Sequence, residues 1–293
     1  MNAKIKIITA MVTFGTIGVF VRYIPLPSSI IALVRGVLAT IFLLAVMAAV
    51  KRRPDGTAIR RNLALLVISG GLIGFNWILL FEAYNYTSVA VATLCYYLAP
   101  VFVIIASPFV LGEKLTLRKT LCVAAALAGM VLVSGVIQNY VSVGNIEDLS
   151  LTGVILGIGA GALYATIILM NKKLKDISSY DTTVVQLAAA SIILVPYCLL
   201  TVDVGLLAVT PVSVVLMCIV GIVHTGIAYV LYFGSIKELP AQTVAIFSYI
   251  DPILAILLSA LLLKENMDML SILGALLILG STFVSEMRGN AND

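Results

Sequence analysis

Residues 90–113 read AVATLCYYLAPVFVIIASPFVLGE, and residues 242–265 read QTVAIFSYIDPILAILLSALLLKE. Laid over each other without a gap at an offset of 152, they agree at Tyr97/Tyr249, Pro100/Pro252, Ile104/Ile256, Ser107/Ser259, Leu111/Leu263 and Glu113/Glu265. Matches of Ile and Leu between apolar segments count for little. A tyrosine, a proline, a serine and a terminal glutamate kept in one register count for more. The register extends upstream to Phe81/Phe233, and each stretch is flanked by four further apolar segments, so the repeat takes up about half the chain. The two copies are read as residues 1–145 and 146–293.

With 61% hydrophobic and 11% charged residues over 293 positions, a soluble globule would have too little polar surface to cover itself. The composition therefore predicts an all-α integral membrane protein. The net charge of +4 bears on orientation in the bilayer and not on nucleic acid. Cys95, Cys122, Cys198 and Cys218 all fall inside apolar runs, so they read as small packing residues and not as a disulfide framework. Lys4 and Lys6 precede an apolar run as in a signal peptide. That run is too long, lacks a small-residue cleavage site and is followed by nine more, so it is read as the first span.

The apolar runs fall at about 5–23, 28–50, 63–84, 88–111, 118–137, 151–170, 181–201, 211–234, 241–263 and 270–286. Each can cross about 30 Å of hydrocarbon as a helix, because about 20 residues at 1.5 Å rise suffice. Ten transmembrane helices result. Pro25, Pro27 and Ser28 close the first turn, Pro54-Asp55-Gly56 the second, and Pro211 and Pro240 stand where helices should begin. The longest connections, about 51–62 and 138–150, are too short to hold a soluble domain.

Lys and Arg orient these spans. One set of loops collects Lys4, Lys6, Lys51, Arg52, Arg53, Arg60, Arg61, Lys114, Arg118, Lys119, Lys172, Lys173, Lys175, Lys237 and Arg288, while the opposite set holds Lys264 alone. Both termini are thus expected on the cytoplasmic side of a plasma membrane, with Asn145 and Asp268 outside. Five spans per copy is an odd number, so the second copy must enter upside down. This is an inverted repeat about an axis in the membrane plane. Pro100 and Pro252 then lie near the midplane on oppositely directed helices, Tyr97 to the outer side of centre and Tyr249 to the inner side.

A proline inside a span removes a backbone hydrogen bond and clashes with the preceding turn, which bends the helix and frees carbonyls one turn back. Facing lipid, those groups would be costly, so the bends are expected to face protein or a wet cavity. A bend that merely improves packing is the other reading. Duplication at equivalent depth favours the cavity and makes Pro100 and Pro252 candidate hinges. Pro108 and Pro196 have no counterpart in the other copy and read as packing residues.

The chain resembles the drug/metabolite transporter superfamily, and specifically its EamA-type members. The resemblance rests on Gly15 in the first span, Arg35 in the second, the run Phe81 to Thr87, then Ala92, Tyr97, Pro100 and the Gly112-Glu113 end of the fourth span. It continues through Gly153, Gln186, Pro196, Pro252, Glu265, Gly274 and Gly280. It implies a ten-helix carrier of two inverted five-helix repeats, with a central cavity between the repeats, that exports amino acids, amines or other small metabolites. The departures are Lys264 where the first copy has Gly112, and Cys122 and Ala128 where the second copy has Gly274 and Gly280. They bear on tight packing of the fifth helix and leave the fold untouched.

Charges inside spans are expensive and are functional candidates for that reason. Asp251 is the sharpest. About 12 residues separate it from the outer helix end, some 18 Å at 1.5 Å per residue, and its counterpart is Ala99. A carboxylate so placed must be paired, hydrated or protonated, and burial disfavours its charged form, as proton coupling requires. The alternative is that Asp251 caps the backbone opened at Pro252 or pairs with a basic side chain for structure alone. Arg35, about 7 residues from the outer end of its helix, is suited equally to binding an anionic group and to snorkelling outward or pairing with Glu82. Glu82, near the outer end of the third span, and His224, the only histidine, complete the proton-coupling candidates. An interfacial carboxylate is nonetheless tolerable without a function, and a lone buried histidine is more often a hydrogen-bonded packing residue. One histidine also argues against a metal site. Asn76, Trp77, Tyr164, Gln186, Tyr229 and Ser248 are polar handles within apolar helices. Of these, Asn76, Trp77 and Ser248 join Arg35, Tyr97 and Tyr249 as candidate substrate contacts, whereas Tyr84 and Tyr86 read as an interfacial aromatic belt.

Gly153, Gly157 and Gly161 recur every four positions, which places them on one helix face and permits close approach of a neighbour. The run Gly157 to Gly161 lacks the preceding strand and the last interval of a dinucleotide loop. The absence of a Walker loop, of Gly-x-Ser-x-Gly and of a ligand cluster argues against an ATP-driven pump and a membrane enzyme, and no cofactor is expected. The expected function is a secondary active transporter working by alternating access, proton-coupled, that exports a small metabolite such as an amino acid or amine. Its partners are that substrate, protons and the bilayer; the sequence carries no signal for oligomeric state. The alternative is a facilitative exchanger, a uniporter or a channel-like pore.

Overall fold

The computed structural model describes residues 2–87, 89–133, 137, 150–203, 205, 207–263 and 269–286. Hydrocarbon offers no partner for backbone N–H and C=O groups, so an apolar chain satisfies them within helices. Among the described residues there is no strand. The helices are α1 (Ala3–Val21), α2 (Ser28–Ala49), α3 (Gly56–Tyr86), α4 (Val89–Tyr96), α5 (Ala99–Leu111), α6 (Leu117–Val133), α7 (Leu151–Lys172) and α8 (Ser179–Thr201). Next come α9 (Pro211–Ile219), a π-helical stretch over Val220–Ile227, α10 (Ala228–Glu238), α11 (Ala241–Phe247), α12 (Ile250–Leu263) and α13 (Met269–Glu286).

Among the described residues seven segments are long and apolar enough to cross a bilayer: α1, α2, α3, Val91–Leu111, α7, α8 and Pro211–Glu238. The protein is a multi-pass membrane protein. The three other runs read as spans, 118–137, 241–263 and 270–286, hold α6, α11 with α12, and α13. Lys264, Glu265, Asn145, Asp268 and Arg288 lie outside the described residues.

Helix ends follow local chemistry. Asp55 accepts hydrogen bonds from the N–H groups of Thr57 and Ala58, both at 3.0 Å. This cap starts α3 seven residues before the expected span at 63. Thr210 and Ser213 form a reciprocal capping box ahead of α9, with Pro211 in its first turn. Gly112 ends α5 at φ +69°, a left-handed conformation that suits glycine.

The helices gather into two compact units, each drawing on both halves of the sequence. The first comprises Met1–Ile78 and Met170–Glu238. In it α2 packs on α8 and on the π-helical stretch, and α1 packs on α10. At Gly70 a Cβ would stand 2.6 Å from the carbonyl oxygen of Gln186, so only glycine allows α3 and α8 to meet as they do. Beside that crossing the buried Gln186 Nε2 donates to Ser69 Oγ and to Asn171 Oδ1, the latter at 3.1 Å.

The second unit comprises Leu79–Leu169 and Leu239–Asp293. Here α6 lies along α13, and α11 packs on α5. Cys122 and Ala128 do not loosen the fifth helix, because Gly129 supplies the close approach: its Cβ would fall 2.6 Å from the carbonyl oxygen of Gly274. The expected face of α7 is also used, since added Cβ atoms at Gly153, Gly157 and Gly161 would lie 2.7 Å from Thr87, 2.9 Å from Cys95 and 2.7 Å from the Tyr96 carbonyl. A polar clamp joins α5 to α11. Glu113 accepts from the N–H groups of Ala241 at 2.7 Å and Gln242 at 3.3 Å, while Gln242 Nε2 donates to Ser107 Oγ at 2.9 Å.

Candidate functional site

The paired stretches are interrupted at corresponding positions. In the first, α4 ends at Tyr96 and α5 begins at Ala99; in the second, α11 ends at Phe247 and α12 begins at Ile250. The helices break where a bend was expected. Pro100 falls in the first turn of α5, and Pro252 is the third residue of α12. An N–H there has no partner one turn back within its own helix, so proline gives up nothing at these sites. Each break is crossed by a tighter turn, with Leu98 N–H donating to the Cys95 carbonyl at 3.2 Å and Tyr249 N–H to that of Ile246 at 3.2 Å. The Tyr97 carbonyl, set at the first break, accepts the hydroxyl of Tyr249 at 3.1 Å. One break is thus tied to the other.

Around them stands a tyrosine ladder. Ring centroids are 6.3 Å apart for Tyr97 and Tyr249, 5.6 Å for Tyr96 and Tyr97, and 5.6 Å for Tyr96 and Tyr164. Tyr249 is fully buried against Ala126, Met130, Ile253, Ala275 and Ile278, with Leu94 and Tyr97 packed beside them. Asp251 lies in the first turn of α12, two residues after Tyr249. The Tyr84 hydroxyl lies 3.5 Å from Thr93 Oγ1, and Tyr86 is 52% exposed. Ser248 turns its hydroxyl back to the Val244 carbonyl at 2.9 Å. Glu82 accepts from Asn85 Nδ2 at 3.4 Å.

The first unit carries a separate aromatic cluster. The Arg35 guanidinium carbon lies 4.2 Å from the centroid of the buried Trp77 ring, a cation–π contact worth about 0.5–2 kcal/mol. Trp77 meets Tyr229 edge to face at 6.4 Å, and Tyr229 meets Phe14 at 5.4 Å and Phe233 at 5.3 Å. Asn76 is buried next in sequence to Trp77.

His224 sits in the π-helical stretch, within reach of the Arg35 charge and 4.9 Å from Phe20 by ring centroids. Thr16 donates its hydroxyl proton to the Thr13 carbonyl at 2.7 Å, which leaves its oxygen to accept from His224 Nε2 at 2.8 Å. His224 Nδ1 faces the Ile219 carbonyl at 3.4 Å. Both ring nitrogens face acceptors. A neutral ring satisfies one of them and a charged ring satisfies both. The π winding also turns Gly221 and Gly226 toward α2, where their added Cβ atoms would meet Leu38 at 2.7 Å and Phe42 at 3.1 Å.

The structure therefore brings Tyr97, Tyr249, Ser248 and Asp251 together in one unit, and Arg35, Trp77 and His224 in the other. Sequence reasoning did not single out Phe14, Thr16 or the π-helical stretch, nor the capping role of Glu113.

The profile of the EamA-like transporter family matches the chain over residues 2–135 and again over 151–287. An uncharacterized transporter of Bacillus subtilis (strain 168), YxxF, is 30% identical over 294 residues, covering 99% of this chain and 92% of its own. An uncharacterized transporter of Archaeoglobus fulgidus is 26% identical over 283 residues, covering 95% of this chain and 94% of its own. A solved crystal structure is similar in fold at a TM-score of 0.82 and 17% identity, covering 97% of this chain and 96% of that one.

Proposed function

This chain belongs to the EamA-like transporter family, and on that premise we propose that it is a proton-coupled secondary carrier exporting a small metabolite, such as an amino acid or amine. It works by alternating access across the cell membrane, with both termini cytoplasmic. Its ten spans form two inverted five-helix repeats, residues 1–145 and 146–293, a reading supported by the two family matches and the sequence register at 152. Substrate contacts are assigned to Tyr97, Tyr249, Ser248, Arg35, Asn76 and Trp77. Proton coupling is assigned to Asp251, with His224 and Glu82 as further candidates, and Pro100 and Pro252 are the hinges.

The observation that carries this reading is the pair of breaks beside Pro100 and Pro252, with the carboxyl group of Asp251 one residue from the second. Interrupted helices in a bilayer are tolerated where protein or water receives their open backbone groups, as at the binding sites of carriers. The purified chain is first screened for thermal stabilisation by amino acids, amines, nucleosides and sugars, since a ligand that binds the folded state raises its apparent stability. Ligands that stabilise are then tested for saturable uptake into proteoliposomes. Stabilisation by an amino acid or amine followed by saturable uptake is expected; saturable uptake of nucleosides or sugars alone would contradict the substrate class.

A facilitative exchanger is the second reading, and one observation favours it. Asp251 lies in the first turn of α12, where the helix N-terminus stabilises a carboxylate as an ion. An Asp251 held permanently ionised would carry no proton, and uptake would then ignore an imposed pH gradient.

A further inference from the structure

Helices α6 and α13 approach closely where Gly129 meets Gly274. Toward the N-terminal end of α6 and the C-terminal end of α13 they leave a groove of about 350 Å³ between them. Its walls include Leu121 and Ala125 on one side and Leu276, Gly280 and Val284 on the other, and Arg118 stands at one end. Leu121 is 59% and Leu276 61% exposed, so the trough opens outward from the unit. At Gly280 a Cβ would meet nothing within 4 Å. Glycine in a helix interior costs about 1 kcal/mol relative to alanine, and here no close packing requires it.

The chemistry of the groove is divided along its length. From Arg118 to Ala125 is seven residues of helix, about 10 Å at 1.5 Å per residue, and the stretch beyond the arginine is apolar. Such a trough stays dry, and left empty it forfeits dispersion contacts along its lining. At its end the Arg118 Nε is shielded from solvent and has no hydrogen-bond partner among the described residues. Lys114 and Lys119 flank it in sequence, and the nearby carboxylate of Glu113 is already engaged by the N–H groups of Ala241 and Gln242. Basic side chains thus gather in sequence around this end of the groove, and a guanidinium pairs with a phosphate through two parallel hydrogen bonds.

We infer that the α6–α13 groove binds an anionic phospholipid, its phosphate on Arg118 and an acyl chain along Leu121, Ala125, Leu276 and Gly280. The lipid completes the packing that the helices leave open beyond their glycine crossing. Charge complementarity distinguishes it from a zwitterionic lipid, whose own cation would face the basic cluster.

The full chain, reconstituted in nanodiscs of phosphatidylcholine alone or mixed with phosphatidylglycerol, is released into the gas phase and its retained lipid counted by native mass spectrometry. Preferential retention of phosphatidylglycerol is expected. Arg118→Gln should lower that retention about five-fold, the effect of one basic group at an anionic surface, and Arg118→Lys should restore most of it. Gly280→Leu leaves every charge in place and fills the trough, and it should also expel the lipid. Equal retention of the two lipids overturns the proposal, as does undiminished phosphatidylglycerol in Gly280→Leu. A dimer that Gly280→Leu dissociates would assign the groove to a second copy of the chain and equally overturn it.

Discussion

Asp251 lies under two opposed influences. The first turn of α12 favours its negative charge through the helix dipole, whereas a location inside a span, as proposed, disfavours any charge. In the proposed mechanism such a group changes its protonation when water reaches it from one side or the other. Asp251→Asn keeps the shape and discards the titration. It is expected to abolish accumulation driven by a pH gradient in proteoliposomes while preserving ligand binding and passive exchange. Accumulation by the variant under a pH gradient alone would remove Asp251 from the coupling role and pass it to His224 or Glu82. The candidacy of Asp251 was legible in the sequence because a carboxylate beside an in-span proline is conspicuous. Its tyrosine surroundings were not: Tyr97 meets Tyr249, two residues before Asp251, through packing that helical periodicity does not specify.

The broken spans show the same division at the level of elements. Pro100 and Pro252 in one register marked where the helices would be disturbed, but bend or break depends on what receives the open carbonyl. At the first break the Tyr249 hydroxyl does so for Tyr97, from 152 residues away. An alanine at either site restores an N–H and lets the helix continue across the interruption. Pro100→Ala and Pro252→Ala are expected to leave insertion intact and to slow interconversion of inward-open and outward-open states, read as a lower exchange rate in proteoliposomes. Unchanged rates in both variants would return the prolines to packing. The clamp on α11 makes a separate prediction. Glu113→Ala removes a carboxylate that caps two N–H groups, and thermal unfolding should report a loss of about 1 kcal/mol. The π-helical stretch was not legible as such. Residues five apart on an α-helix point about 140° from each other, so Gly221 and Gly226 read as unrelated until the wider winding turns both toward α2.

For the molecule as a whole, apolar runs of membrane length identified the class, because the bilayer leaves few structural solutions, and the family was legible as a resemblance carried by residues from Gly15 to Gly280. How the helices distribute into two compact units was hidden, since each unit joins segments from both halves of the chain. The proposed inverted repeat makes a direct topological prediction. Lys51 and Asp203 occupy equivalent positions at the offset of 152, so they must lie on opposite faces of the membrane. In a background lacking Cys95, Cys122, Cys198 and Cys218, an impermeant thiol reagent added outside intact cells should label Asp203→Cys and spare Lys51→Cys. Labelling of both from the same side would break the inversion. The central claim, that the protein is a carrier and not a pore, is tested most directly by counterflow. Proteoliposomes are loaded with the unlabelled ligand that the stability screen selects and given a trace of the labelled ligand outside. A carrier takes up label above its equilibrium level, saturably and only while unlabelled ligand is inside; uptake that neither saturates nor responds to the internal ligand would contradict the account.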